Sequence, residues 1–241
     1  DVCSSDLRMV LSPPMGQPLL PDLPNWAWHE YGMRVGFWRI FDALNQRNII
    51  PTLATNGIVC TSYPRVAEAG LNKGWEMMGH GYIQGPMHKI PNQLEAVEQT
   101  VDAIKRFSGK APVGWESPGL TENDATIDCL SKAGIEYVAD WVLDDQPVWI
   151  NAKPKPVLSV PYTVELNDIP MMLLQSNRGE EMLSRGVEQF ERLWSESATI
   201  PRVMALSVHP YITGAPHRIG YFEKLLDHIQ KKEGVLIKTG E

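Results

Sequence analysis

The segment Ser62-Tyr-Pro-Arg-Val-Ala-Glu-Ala-Gly-Leu-Asn72-Lys-Gly-Trp75-Glu-Met-Met78-Gly-His80-Gly-Tyr-Ile-Gln84 holds in one stretch the unit on which the fold is read. Its pattern predicts a helix from about Ser62 to Asn72 and a short strand at Trp75–Met78. Polar His80 and Gln84 follow the strand directly.

The same alternation extends in both directions. Upstream, Leu11–Asn25 carries five prolines and reads as a loop. A helical pattern starts at Tyr31, with Val35, Trp38, Phe41 and Leu44 spaced by three, and Ile49–Ala54 reads as a buried strand. Downstream, helices are expected over Asn92–Phe107, Asn123–Ala133, Glu180–Glu196 and Ile219–Lys231. Asn92 is a good N-cap, and Gly109 follows the last turn of its helix as a stop. Strands are expected at Pro112–Gly114, Tyr137–Ala139, Val157–Pro161 and Val203–Val208, with a last one in the run from Gly234. So many strands alternating with helices imply a parallel sheet, and closure into a barrel is favoured over an open doubly wound sheet.

The chain has 241 residues, enough for one domain with a substantial core. With 43% hydrophobic and 21% charged residues, disorder is excluded. No apolar run approaches the roughly 20 residues that a bilayer span needs. The net charge of −7 comes with scattered basic residues, so neither a nucleic acid nor a membrane surface is an expected partner. Cys3, Cys60 and Cys129 are isolated, which fits no disulfide framework and makes the cytoplasm the simplest compartment. Homo-oligomerisation is left open. Asp1–Leu7 reads as an artefactual leader, and residues 8–241 as a single domain clipped at both ends.

In a barrel of this kind chemistry sits where strands end, so polar residues just past strands are the candidates. These are Asn56; His80 and Gln84; Asp140, Trp141, Asp144 and Asp145; and His209. Glu165 and Asp168 follow the strand at Val157–Pro161, although Asn167-Asp168 is equally a turn signal. Glu30, in Trp26-Ala-Trp-His-Glu30, either walls a pocket or favours a helix start. Trp115 and Trp141 offer rings for stacking on a sugar or heterocycle, or are core residues. His209 is placed to exchange a proton near neutral pH. No Gly-rich phosphate loop follows any strand, which argues against a nucleotide cofactor.

These clusters, in this order, resemble the polysaccharide deacetylase superfamily (the NodB-homology domain), and more closely its branch that includes the cofactor-independent allantoinases. The resemblance covers nearly all of residues 24–241. It rests on Glu30-Tyr-Gly-Met-Arg-Val-Gly-Phe-Trp38-Arg39, Trp75-Glu-Met-Met-Gly79-His80-Gly81, Gly114-Trp115 with Pro118-Gly119-Leu-Thr121, Asp144-Asp145-Gln-Pro147, and Leu206-Ser-Val-His209-Pro210. It implies an irregular (β/α) barrel of about seven parallel strands, here lacking the first, and hydrolysis of a non-peptide carbon–nitrogen bond. Typical deacetylases use a divalent metal held by an Asp and two His four residues apart. His80 matches the first of these His, but Gln84 stands where the second would be, and a neutral amide is a poor ligand for zinc. His88 is the nearest other imidazole. The family's Asp-Asp pair has no counterpart upstream of Pro24.

The resemblance thus implies the metal-independent branch, with no cofactor expected and His80 the one match to a zinc ligand should a metal bind. It implies that His209 is the general acid, that Asp140 or a neighbour orients it, and that His80 polarises the carbonyl or positions water. Glu30, Asn56, Gln84, Trp115, Trp141, Asp144 and Glu165 are the expected substrate-binding residues, for a small amide, ureide or sugar. The rival readings are a metal-dependent deacetylase of N-acetylated sugars and a catalytically silent carbohydrate-binding barrel.

Overall fold

A computed structural model describes residues 21–241; the expected leader and the proline-rich residues 11–20 lie outside them. Helix α1 (Leu23–Tyr31) starts at Asp22, whose side chain accepts from the Asn25 N–H as an N-cap. A π-helical turn over Gly32–Gly36 carries α1 directly into α2 (Phe37–Gln46). There follow β1 (Thr52–Thr55), α3 (Val59–Ser62), α4 (Pro64–Asn72), β2 (Glu76–Gly79), α5 (Gln93–Ser108) and β3 (Gly114–Trp115). The chain continues through α6 (Thr126–Lys132), β4 (Tyr137–Val138), β5 (Val148–Ile150), β6 (Val157–Ser159), α7 (Gly179–Glu196) and α8 (Ile219–Gln230). Helix α5 has the boundaries its caps predict. The Asn92 side chain accepts from Glu95 N–H, and Gly109 ends the helix with a φ of 80°.

Six strands form one sheet in the order β1-β2-β3-β4-β6-β5. All pairings are parallel except that of β5 with β6. The register aligns Thr55 with Gly79, Gly79 with Trp115, Trp115 with Val138, and Val138 with Ser159. The C-terminal ends of five strands therefore form one row, and Asn56, His80, Glu116 and Asp140 leave the sheet along the same edge. Beyond β6, Asn167 makes a parallel bridge to Ser207. This adds Asp168 and His209 to that edge.

The α/β fold with a mostly parallel sheet is as expected, and the details of closure and strand count differ. Among the described residues the sheet does not close. Residues 203–208 form no strand, because their ladder is limited to the single bridge of Ser207 to Asn167. Residues 234–238 form no strand, whereas Val148–Ile150, unread in the sequence, adds an antiparallel edge strand.

The larger core lies between α2, α7, α8 and the sheet, and includes Phe37, Leu44, Trp75, Leu166, Phe190 and Leu225. A second core joins α5 and α6 to the strands through Val97, Trp115, Leu130, Val138 and Val157. The first helix also touches the far end of the chain backbone to backbone. A Cβ on Gly36 would stand 2.0 Å from the Pro210 carbonyl oxygen, and one on Gly214 would stand 2.4 Å from that of Gly36. Both neighbours are backbone and cannot swing away, so only glycine allows the α1–α2 segment to seat against the turn that carries His209. Gly36→Ala is expected to cost about 1–3 kcal/mol of stability by overpacking, read as a lower denaturant midpoint at unchanged slope.

Candidate active site

Asp168 is the centre of the arrangement. It is fully buried, and its carboxylate accepts from three donors: the His209 backbone N–H (2.7 Å), His209 Nδ1 (2.6 Å) and the Thr213 hydroxyl (2.6 Å). The bridge between Asn167 and Ser207 brings the two chain segments together. Asp168 N–H donates to the Ser207 carbonyl at 3.2 Å, and Ser207 N–H to Leu166 at 3.1 Å. With Nδ1–H committed to Asp168, Nε2 is the nitrogen of His209 left for chemistry. Burial alone would lower the His209 pKa. The charge and hydrogen bond of Asp168, helped by the charge of Glu116, outweigh it and raise the pKa above the ordinary 6.5.

His80 faces a different environment. Its Nδ1 lies 2.7 Å from the Glu116 carbonyl oxygen. A carbonyl only accepts, so Nδ1 carries the proton and Nε2 a lone pair in the neutral ring. Burial lowers the His80 pKa below 6.5 against the raising effects of Glu116, and the ring is neutral at pH 7. His80 is close enough to feel the charge of His209, and so is His29. The left-handed φ of Gly81 (72°) and the missing side chain of Gly79 shape the turn around His80. A Cβ on Gly79 would meet the Trp115 ring at 2.6 Å.

Asn56 is buried and donates to the His80 carbonyl and, at 3.3 Å, to Gln84 Oε1, so these three residues form one cluster. Glu30 is bonded by the Tyr63 hydroxyl. Trp28, His29 and Tyr211 form an aromatic wall beside His209, with ring centroids 5.2 Å apart for Trp28–Tyr211, 4.3 Å for His29–Tyr211 and 6.0 Å for His209–Tyr211.

Four expectations are corrected. Asp140 does not orient His209; Asp168 does, and Asp140 instead accepts the Ser117 backbone N–H at 2.6 Å and has the Glu122 carboxyl beside it. Trp115 is fully buried in the second core, donating to Ser117 Oγ at 3.0 Å, and presents no face to a ligand. Asp144 is exposed and caps its own turn by accepting from Gln146 N–H at 3.1 Å. Glu165 is exposed too, and its carbonyl accepts from Arg185 at 3.1 Å. Trp141 is half-buried against the second core.

Sequence reading missed Glu116 and Tyr162. The Tyr162 hydroxyl lies 3.2 Å from Glu116 Oε1, 2.9 Å from Ser207 Oγ and 2.8 Å from Asn167 Nδ2. Glu116 is a polar residue immediately past a strand, the signal applied elsewhere. It escaped because that strand was placed at Pro112–Gly114 rather than Gly114–Trp115.

A divalent metal would need a donor set that these positions do not supply. Gln84 Oε1 is engaged by Asn56, His88 is exposed and faces the Thr121 carbonyl, and His80 offers one nitrogen. Among the described residues no group of three His, Cys, Asp or Glu side chains could hold a metal ion. These residues do not fit the family's metal site.

Residues 28–138 match the family model described as polysaccharide deacetylase. A Schizosaccharomyces pombe protein carrying a polysaccharide deacetylase name is 28% identical over 231 residues, covering 88% of this chain and 72% of that protein. A crystal structure titled as a probable polysaccharide deacetylase from Pseudomonas aeruginosa PAO1 superposes with a TM-score of 0.85 at 26% identity, over 93% of this chain and 75% of the other. The crystal structure of Puue allantoinase also superposes with a TM-score of 0.85, at 24% identity, over 91% of this chain and 74% of that one. The chain is thus similar to proteins named as polysaccharide deacetylases over most of its length, and residues 28–138 carry the match to that family's model. No helix among the described residues is long and apolar enough to cross a membrane.

The Asp168–His209 pair generates a direct test. The His209 ring should titrate above pH 6.5 by NMR, and Asp168→Asn should move that titration to lower pH by removing the charge that raises it. An unmoved titration would show that Asp168 does not set the ring's charge.

Proposed function

We propose that this polysaccharide deacetylase-type chain hydrolyses a small amide or ureide, with His209 as the general acid and no metal in the reaction. The observation that carries the reading is the His209–Asp168 pair. A buried carboxylate fixes the imidazole by Nδ1 and raises its pKa above 6.5, which favours the protonated ring whose Nε2–H can be given to a leaving nitrogen. Expelled amide nitrogen is a poor leaving group unless it is protonated, so this is the step where a positioned acid counts most. His80, its Nδ1–H held by the Glu116 carbonyl, directs Nε2 as an acceptor that can position water or a substrate N–H. The buried Asn56 and half-buried Gln84 carry amide groups beside it, and the Trp28, His29 and Tyr211 rings supply an apolar wall for a flat or cyclic substrate. The metal-free reading is supported by Gln84, which stands where the family has its second histidine ligand.

The test is turnover of allantoin, of N,N′-diacetylchitobiose and of a peptidoglycan fragment, with and without prior chelation. Activity on at least one of these that survives chelation is expected. Activity that is lost with a stoichiometric divalent ion and restored by it would favour the metal-dependent alternative. His209→Ala should lower kcat about 10²–10⁴-fold, the typical effect of losing an acid or base. Binding that persists in that variant, with no turnover by wild type, would favour a silent binding barrel.

The pH dependence follows from the groups facing His209, namely Asp168 and Glu116, with His80 and His29 nearby. The protonated acid is present below its raised pKa and lost as pH rises through it. The rate should therefore fall on the alkaline side, at a pH above 6.5, and in Asp168→Asn that fall should begin at lower pH.

A further inference from the structure

Acid catalysis by His209 leaves the attacking water without a base. Glu116 is the first residue beyond β3, on the same sheet edge as His80, and its backbone carbonyl is the acceptor that fixes the His80 ring. Its side chain points to the other half of the site. Oε1 accepts from the Tyr162 hydroxyl, which is in turn held by Asn167 Nδ2 and Ser207 Oγ. Asn167 and Ser207 are the bridged pair that carries Asp168 and His209. The Tyr162 hydroxyl has one proton; when it goes to Glu116, Ser207 and Asn167 are left to donate to the Tyr162 oxygen. The negative charge of Glu116 acts on His80, His209 and Tyr162 alike, which places it near both imidazoles. Glu116 is only half-buried, and among the described residues its Oε2 takes no hydrogen bond, so that oxygen is free to receive a proton from water.

We propose that Glu116 is the general base that activates the hydrolytic water, a role resting on the reading of the site as a carbon–nitrogen hydrolase. The water oxygen bonds to the carbonyl carbon while one water proton passes to Glu116 Oε2. The carbon–nitrogen bond then breaks with its electron pair leaving on nitrogen, and that nitrogen takes the proton from His209 Nε2. The products are a carboxylic acid and an amine or amide, with Glu116 protonated and His209 neutral. Passage of the Glu116 proton to His209 through water restores both groups.

The experiment uses whichever of allantoin, N,N′-diacetylchitobiose and the peptidoglycan fragment the wild-type chain turns over. Glu116→Gln should lower kcat about 10²–10⁴-fold with KM nearly unchanged. Added formate should restore part of the turnover of Glu116→Ala and none of that of His209→Ala. The second variant keeps the test valid if Glu116→Gln does not fold, and both are checked by thermal unfolding. Retention of more than about a tenth of kcat, a raised KM at unchanged kcat, or no rescue of a folded Glu116→Ala would overturn the base and leave the hydrolase reading standing. Wild-type inactivity on all three probes would overturn that reading and the base with it.

Discussion

An ionised carboxylate taken out of water is tolerated only when donors replace its hydration, and Asp168 is such a group. Its three donors all come from residues 209–213, so the carboxylate cannot be buried unless that turn is in place. The dependence runs both ways. The turn is held from outside by the α1–α2 segment, seated at backbone distance through Gly36 and Gly214, and from inside by the bridge at Ser207. The orientation of one imidazole thus depends on contacts between regions more than 160 residues apart in sequence. An error in any of them leaves a charge unsatisfied, which couples the site's geometry to folding.

A parallel sheet supplies the remaining groups at little further cost. Because the strands end in one register row, the residues that follow them share an edge without any special arrangement. Burial and charge then separate the two histidines. At His80 desolvation outweighs the charge and carbonyl of Glu116, so the ring is neutral; His209 meets a direct carboxylate, which outweighs desolvation and favours the charged form. Two imidazoles with their pKa values pushed apart can play different parts in one reaction.

The helices were legible because several helical faces and caps agree with each other. Asn92, Glu95 and Gly109 each mark the ends of α5 independently, and α7 and α8 carry periodic apolar faces. The strands were legible in position but not in extent. β3 and β4 are two residues long and buried among neighbours, and a shift of one or two residues moves a side chain from the sheet into the mouth. That shift hid Glu116 and made Trp115 look available. The Asp168–His209 pair was not legible because the two residues lie 41 apart with a long helix between them, and Asn167-Asp168 has the form of an ordinary turn.

Asp140 shows why position at a strand end is not enough to assign a role. Its Oδ2 and Glu122 Oε1 are both buried, and among the described residues neither meets an N–H or O–H donor. Two carboxylates in contact repel, so the pair is satisfied by holding one proton between them. Burial, followed by the Glu122 contact, accordingly pushes the Asp140 pKa well above the ordinary carboxylate range. The other Asp140 oxygen holds the backbone N–H of Ser117, the neighbour of Glu116. Asp140 therefore acts on the site at one remove. It anchors the loop after β3, and with it both the carbonyl that fixes His80 and the carboxylate that faces His209. With one proton between them the two carboxyl groups carry a single negative charge, so the pair grips a backbone donor while placing one charge rather than two beside Glu116.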